Sequence, residues 1–229
     1  DATLASTLDV RGEFFGETLQ DLAAWRGKLF AELDYVDLAA WKAWVDYPFE
    51  VQSGKGALRI WLGSDGKRIT EVNADLALAA VKARLAPDLP IMDLEYLQGR
   101  LGGSRTGNSD EIRAVEAFGK ELTMKPAQGN ALPPADFSLV WTAATTDKLE
   151  RGELRANSLE FEPLANLAEF LPLPVKFRSR LAEASPRGTV HDLRLNWLGA
   201  LDSPADFNVR GKFEQLSVRA PGDRAVSGM

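Results

Sequence analysis

From Val72 to Ala80 the chain alternates without a break. Val72, Ala74, Leu76, Leu78 and Ala80 point one way, while Glu71, Asn73 and Asp75 point the other. A period of two over this length is a half-buried antiparallel strand. Beyond Ala80 the apolar set resumes at Val81, Ala83 and Leu85, one residue out of phase, which predicts a β-bulge. Further strands are legible over 28–36, 58–62, 92–101, 112–124, 137–142, 149–161, 190–198 and 207–218, and Leu8 and Val10 already read as strand. Several are twelve residues or longer, roughly 40 Å against a usual five or six residues.

Turn chemistry joins them: Ser64-Asp65-Gly66, Ala86-Pro87-Asp88 with Pro90, Gly102-Gly103-Ser104, Pro133-Pro134 and Asp202-Ser203-Pro204. The order reads as a meander of neighbouring hairpins, with 102–110 as the first candidate for a mobile loop and 126–134 as the second. Two short helices are expected. Asp37 caps one over 38–45, and Glu162-Pro163 opens another over 164–171. That is too little helix to cover a sheet this tall, so the sheet must cover itself. It does so either as a packed sandwich or as a coiled sheet whose inner face stays open as a furrow. The inward set is Leu58, Ile60, Leu62, Leu76, Leu78, Phe137, Leu139, Trp141, Leu193, Leu195, Trp197, Phe207, Val209 and Phe213. Side chains alone leave both shapes open.

One phrase is written twice. Leu38, Trp41, Trp44 and Val45 run into Pro48, Trp61-Leu62-Gly63 and an alternating strand; Leu164, Leu167, Phe170 and Leu171 run into Pro174, Trp197-Leu198-Gly199 and another. The second copy holds about ten more residues between proline and Trp-Leu-Gly. Repetition in fixed order marks a modular array in which each unit closes its neighbour's core. The boundaries this predicts are 1–36 as the end of one unit, 37–161 as a central unit and 162–229 as the start of the next.

Chemistry is sparse. At 229 residues and 45% apolar the chain has material for a real core, and a net charge of -6 with scattered Lys and Arg gives no footprint for nucleic acid. There is no cysteine, which removes disulfides and thiolate chemistry. Neither a spanning run nor a signal peptide is visible, and a chain that starts at Asp1 reads as a piece of a longer polypeptide. His191 stands alone between polar neighbours on a strand, without the partners that a metal site or triad needs. Gly63-Ser64-Asp65-Gly66-Lys67 is too short for a phosphate loop. Asp34, Asp37 and Asp46 beside the tryptophans mimic a sugar cleft, but read more simply as strand edges and caps. Trp41 and Trp44, three apart, read as the buried face of a short helix in preference to a membrane-interface pair.

The segments GALRIWLGSDGKRITEVNADLALAAVKARLAPDLPIMDLEYLQGRLGG, PPADFSLVW, GELRANSLEFEPLANLAEFLPLP and PRGTVHDLRLNWLG resemble the YhdP branch of the AsmA-like proteins of two-membrane bacteria, from about Trp25 to Pro221. The resemblance implies a periplasmic protein anchored in the inner membrane by one N-terminal helix and built of repeating β-groove units that reach toward the outer membrane. It implies phospholipid as cargo, with flanking repeats and both membranes as partners; from the residues themselves no cofactor, metal or catalytic group is expected.

The fold class expected is therefore mostly β, a long, strongly curved antiparallel sheet with two short crossing helices. The function expected is to shield phospholipid acyl chains in an apolar groove, with the fourteen residues above as its lining. A non-catalytic β-rich scaffold with a fully packed core is the alternative. A carbohydrate-active enzyme on a β-sandwich is a third reading, and would need two carboxylates converging beside an exposed tryptophan.

Overall fold

The computed structural model describes residues 7–16, 25–43, 46–47, 49–66, 68–107 and 111–219. Ten strands form one antiparallel sheet in simple chain order. They are β1 Leu8–Phe15, β2 Arg26–Asp37, β3 Glu50–Asp65, β4 Arg68–Arg84, β5 Met92–Gly107, β6 Ile112–Pro126, β7 Leu132–Thr142, β8 Arg151–Glu160, β9 Arg187–Leu198 and β10 Asp206–Ser217. The sheet is not closed: β1 and β10 are its edges, and among the described residues no second sheet is present to make a sandwich.

The meander follows from the turns. Leu89 N–H bonds the Ala86 carbonyl at 3.0 Å across the proline-flanked turn, and Gly66 takes a left-handed φ of 63° at the β3–β4 hairpin. Two glycine and proline signals do not turn the chain. Gly102 and Gly103 lie inside β5, opposite Asn73 and Val72 on one side and Phe118 and Ala117 on the other. A Cβ on Gly103 would stand 2.7 Å from the Glu116 carbonyl, so glycine there permits close approach of a neighbouring strand. The loop expected over 102–110 is thus strand to Gly107, and 108–110 lie outside the described residues. Pro133 and Pro134 belong to β7, where pairing with β6 is interrupted and pairing with β8 has not begun.

The bulge expected at Ala80 is present. Ala80 has a φ of 51°, the β3–β4 register shifts beside it, and Ser53 Oγ donates to the Ala80 carbonyl at 2.6 Å. It belongs to a belt of irregularities crossing the sheet through Glu121 (φ 49°) and Asp192 (φ 54°). Side chains fill the gaps this opens in the ladder. Glu121 N–H donates to Asp136 Oδ1 at 2.7 Å, and Asp136 N–H to Asn157 Oδ1 at 2.9 Å. β3 is much longer than the five residues that alternate, because Gly54 and Gly56, at φ 155° and 148°, hide its first half from pattern reading.

The helices sit at the end of the sheet where β2, β4 and β8 finish. Asp37 Oδ1 caps the N–H groups of Ala39 and Ala40 at 3.1 and 3.2 Å, as expected, but what it opens among the described residues is a 3-10 turn, Ala40–Ala43, where an α-helix from 38 was expected. Trp44, Val45 and Pro48 lie outside the described residues. The helix expected at 164–171 starts earlier, as α1 Phe161–Leu167, and tightens into a 3-10 turn, Ala168–Phe170. An unexpected helix, α2 Val175–Ala184, follows Pro174 and accounts for the extra residues of the second copy. None of its residues is fully buried, which is why no apolar stripe announced it.

Candidate functional site

Residues directly opposite each other on paired strands share a face, so the register can be followed across all ten strands. One row takes a residue from each strand in turn: Gly12, Leu29, Leu62, Val72, Gly103, Ala117, Leu139, Leu154, Leu195 and Val209. No polar side chain interrupts it over nine strand spacings, about 43 Å at 4.8 Å each. The adjacent row runs Val10, Ala31, Ile60, Ala74, Leu101, Gly119, Phe137, Ala156 and Leu193.

All fourteen residues named from the sequence fall on this face. Leu58 pairs with Leu76, Leu78 lies two residues on, Trp141 and Trp197 flank Gly152, Phe207 pairs with Trp197, and Phe213 pairs with Val190 beside Leu193. Their surroundings differ. Leu78, Leu193 and Trp197 are buried; Leu58, Ile60, Leu62, Leu76, Phe137, Leu139, Trp141 and Leu195 are half-buried. Phe207, Val209 and Phe213 on the edge strand are exposed, Phe207 by 63%. Two compact clusters occupy the helix-bearing end. Leu33, Val36, Leu78, Val81 and Leu94 form one, with Leu38 and Trp41 packed on it, and Ala156, Val190 and Leu193 form the other under Phe161. Leu62, Leu139, Trp141, Leu195, Phe207 and Val209 belong to neither.

Two large rings of this face, Trp197 and Phe137, lie down instead of standing up. A Cβ on Gly152 would fall 1.9 Å from Trp197 Cζ2, and one on Gly119 would fall 2.4 Å from Phe137 Cε1. Each ring therefore rests on a glycine of the neighbouring strand, which keeps it from filling the space above the sheet. Gly152→Ala is expected to force the indole off β8, at a cost of about 1–3 kcal/mol. Thermal melting would show the loss, and a red shift of tryptophan emission would show the ring leaving its buried seat; an unchanged spectrum and melt would contradict the close fit.

The opposite face is polar and paired. Arg59 Nε donates to Glu32 Oε1 at 2.5 Å and Arg100 Nη2 to Asp75 Oδ2 at 2.8 Å. The bond from Arg100 holds the Asp75 carboxyl below the ordinary carboxylate range. Trp61 is on this side, 5.3 Å from Phe30 and beneath Arg100, whereas Trp197 of the second Trp-Leu-Gly is on the apolar side. The repeated motif thus faces opposite ways in its two copies. His191 Nε2 lies 3.7 Å from a Glu214 carboxylate oxygen at the sheet edge.

Sequence reasoning missed the basic side chains of α2, although Lys176, Arg178 and Arg180 alternate with Val175, Phe177 and Leu181. Lys176 Nζ is 3.8 Å from Asp202 Oδ2, and Arg180 Nη1 donates to the Asp202 carbonyl at 3.4 Å. Arg178 Nη2 is 3.5 Å from Asp88 Oδ2. Asp202 lies in the β9–β10 connection and Asp88 in the β4–β5 turn, at opposite ends of the strands.

One apolar face on an open ten-stranded meander, backed by a paired polar face and covered among the described residues only at its helix-bearing end, defines a β-sheet wall that presents greasy surface along the rest of its height. The chain belongs to the YhdP protein family, which matches residues 1–229, in agreement with the AsmA-like resemblance. No curated protein and no solved structure gives a match.

Proposed function

We propose that this chain is a wall segment of a periplasmic AsmA-like protein, and that its apolar face shields the acyl chains of phospholipids moving between the inner and outer membranes. The observation that carries this reading is the row of apolar residues and glycines unbroken across ten strands. Each CH2 laid along it leaves water with a gain of roughly 0.8 kcal/mol. Because successive strands offer similar side chains, no single position forms a deep trap, and headgroups stay at the rim. No catalytic group, metal or cofactor enters the scheme; flanking units, expected on either side of 37–161, would continue the wall toward both membranes.

Strong curvature belongs to the same proposal. On a flat sheet the turn holding Asp88 and the connection holding Asp202 would lie more than about 40 Å apart, given the length of β9 and the strands between. Ion pairs from two residues two apart on one helix span only roughly 30 Å. The contacts of α2, together with the belt of bulges, support a sheet whose two rims approach each other.

Mass spectrometry of protein purified without harsh detergent tests the reading. Phospholipid should co-purify, in amounts that fall when the furrow is blocked. Lipid-free protein that also fails to bind added phospholipid would favour the non-catalytic scaffold.

A further inference from the structure

Between α1, α2 and the start of β9 lies a hollow of about 680 Å³ into which Arg178, Arg187 and Arg219 are gathered. Arg178 is the unusual member. Its side chain is only 19% exposed, its Nε is sealed from solvent without a partner, and the guanidinium makes no hydrogen bond among the described residues. The Asp88 carboxylate at 3.5 Å balances part of the charge from outside the hollow but does not reach hydrogen-bond distance. A guanidinium withdrawn from water, with Nε unpartnered and one long ion pair as its sole counter-charge among the described residues, has donors left for a second anion. Arg187 is engaged with Glu162 at 3.7 Å, and Glu169 is the other carboxylate on the wall.

The hollow also adjoins the apolar face. Glu162, Asn166 and Glu169 of the α1 segment line it on one side and, on the other, a second hollow of about 590 Å³ that runs along the start of β5, outside the closed cluster around Leu94. Phe161 at the start of α1 stacks on Phe213 of β10 at 6.5 Å.

We infer that the arginine hollow is a binding site for a phosphate-type oxyanion, with Arg178 as its principal donor. Resting on the lipid reading above, the anion is the headgroup phosphate of a glycerophospholipid whose chains lie on the adjoining apolar face. Planar guanidinium groups suit such oxygens because they donate in pairs. Asp88 then competes with the ligand for Arg178, which sets this role apart from a simple latch between α2 and the β4–β5 turn.

Calorimetric titration of the full chain with dihexanoyl phosphatidic acid, dihexanoylglycerol and inorganic phosphate, at fixed ionic strength, tests it. The anionic lipid should bind at least about tenfold tighter than the uncharged one, and Arg178→Gln should erase that gap. Asp88→Asn should tighten the anionic lipid a few-fold, whereas a latch predicts that both substitutions weaken it. Asp88→Asn keeps the guanidinium, so it decides the matter even where Arg178→Gln melts early. Equal binding of the two lipids, or a gap that survives Arg178→Gln, overturns the site while leaving the furrow reading intact. Inorganic phosphate bound through Arg178 with neither lipid bound keeps the anion site, assigns it to free phosphate and removes the furrow reading. If no probe binds, both fail.

Discussion

Leu139→Asp is expected to abolish lipid binding while leaving the sheet folded. Leu139 stands in the middle of the ten-strand row, between Ala117 and Leu154, is half-buried, and lies outside both compact clusters. Its carboxylate would keep much of its water in the free protein, so the cost is partial loss of apolar contact and poorer strand propensity, about 2 kcal/mol. An acyl chain lying over it would have to strip that water, and affinity should fall on the order of a hundredfold. Leu195→Asp, one row position from the edge strand, should behave alike. Val140→Lys is the control. It faces the other way, between Glu116 and Glu153, where a cation is welcome, and should alter neither binding nor melting. Loss of more than about 4 kcal/mol with Leu139→Asp would mean that the residue sits in a packed interior, and the furrow would have to be abandoned.

The apolar face was legible because a period of two survives in sequence wherever one side of a strand is wet. Alternation identified Leu76 with Leu78, Phe137 with Leu139 and Leu193 with Leu195 as one side, and the pairing register agrees. Ala80 was legible for a related reason: a slip of phase has to be absorbed by a bulge. What misled was punctuation. Gly102-Gly103 and Pro133-Pro134 look like turns in isolation, but their role is set by neighbours on other strands, which local sequence does not name. The first half of β3 lacked alternation because Gly54 and Gly56 replace side chains near the 3-10 turn, where Leu38 N–H bonds the Gly54 carbonyl at 2.8 Å. The Trp-Leu-Gly repeat was real as sequence and misleading as geometry. A one-residue offset sends every side chain of a strand to the other face, so Trp61 and Trp197 do different things from matching positions. The arginine hollow was beyond reach of any pattern, because it depends on α2 folding back so that Arg178 meets a turn some ninety residues earlier in the chain.

The same alternation also conceals two environments on one face, and Leu94→Ala exposes the second. Leu94 is 1% exposed, enclosed by Leu33, Val36, Leu78 and Val81, with Met92, Leu97 and Met124 around them. In sequence it is one more apolar residue of β5, no different from Leu101 further along. The difference comes from the Asp37-capped turn, which lays Leu38 and Trp41 over this end of the sheet and shuts out water. Truncation there leaves a cavity that rigid strands cannot collapse, for a loss of about 2–5 kcal/mol. In a domain of this size that lowers the melting point by roughly 10 °C. Lipid affinity measured well below the melt should hold within about twofold, because the cluster is closed to a guest. The two variants therefore act in opposite senses: Leu139→Asp removes binding and spares the fold, whereas Leu94→Ala weakens the fold and spares binding. Were Leu94→Ala to cost under about 1 kcal/mol, the helix-bearing end would be as open as the rest, and the division of this face into anchor and furrow would not hold.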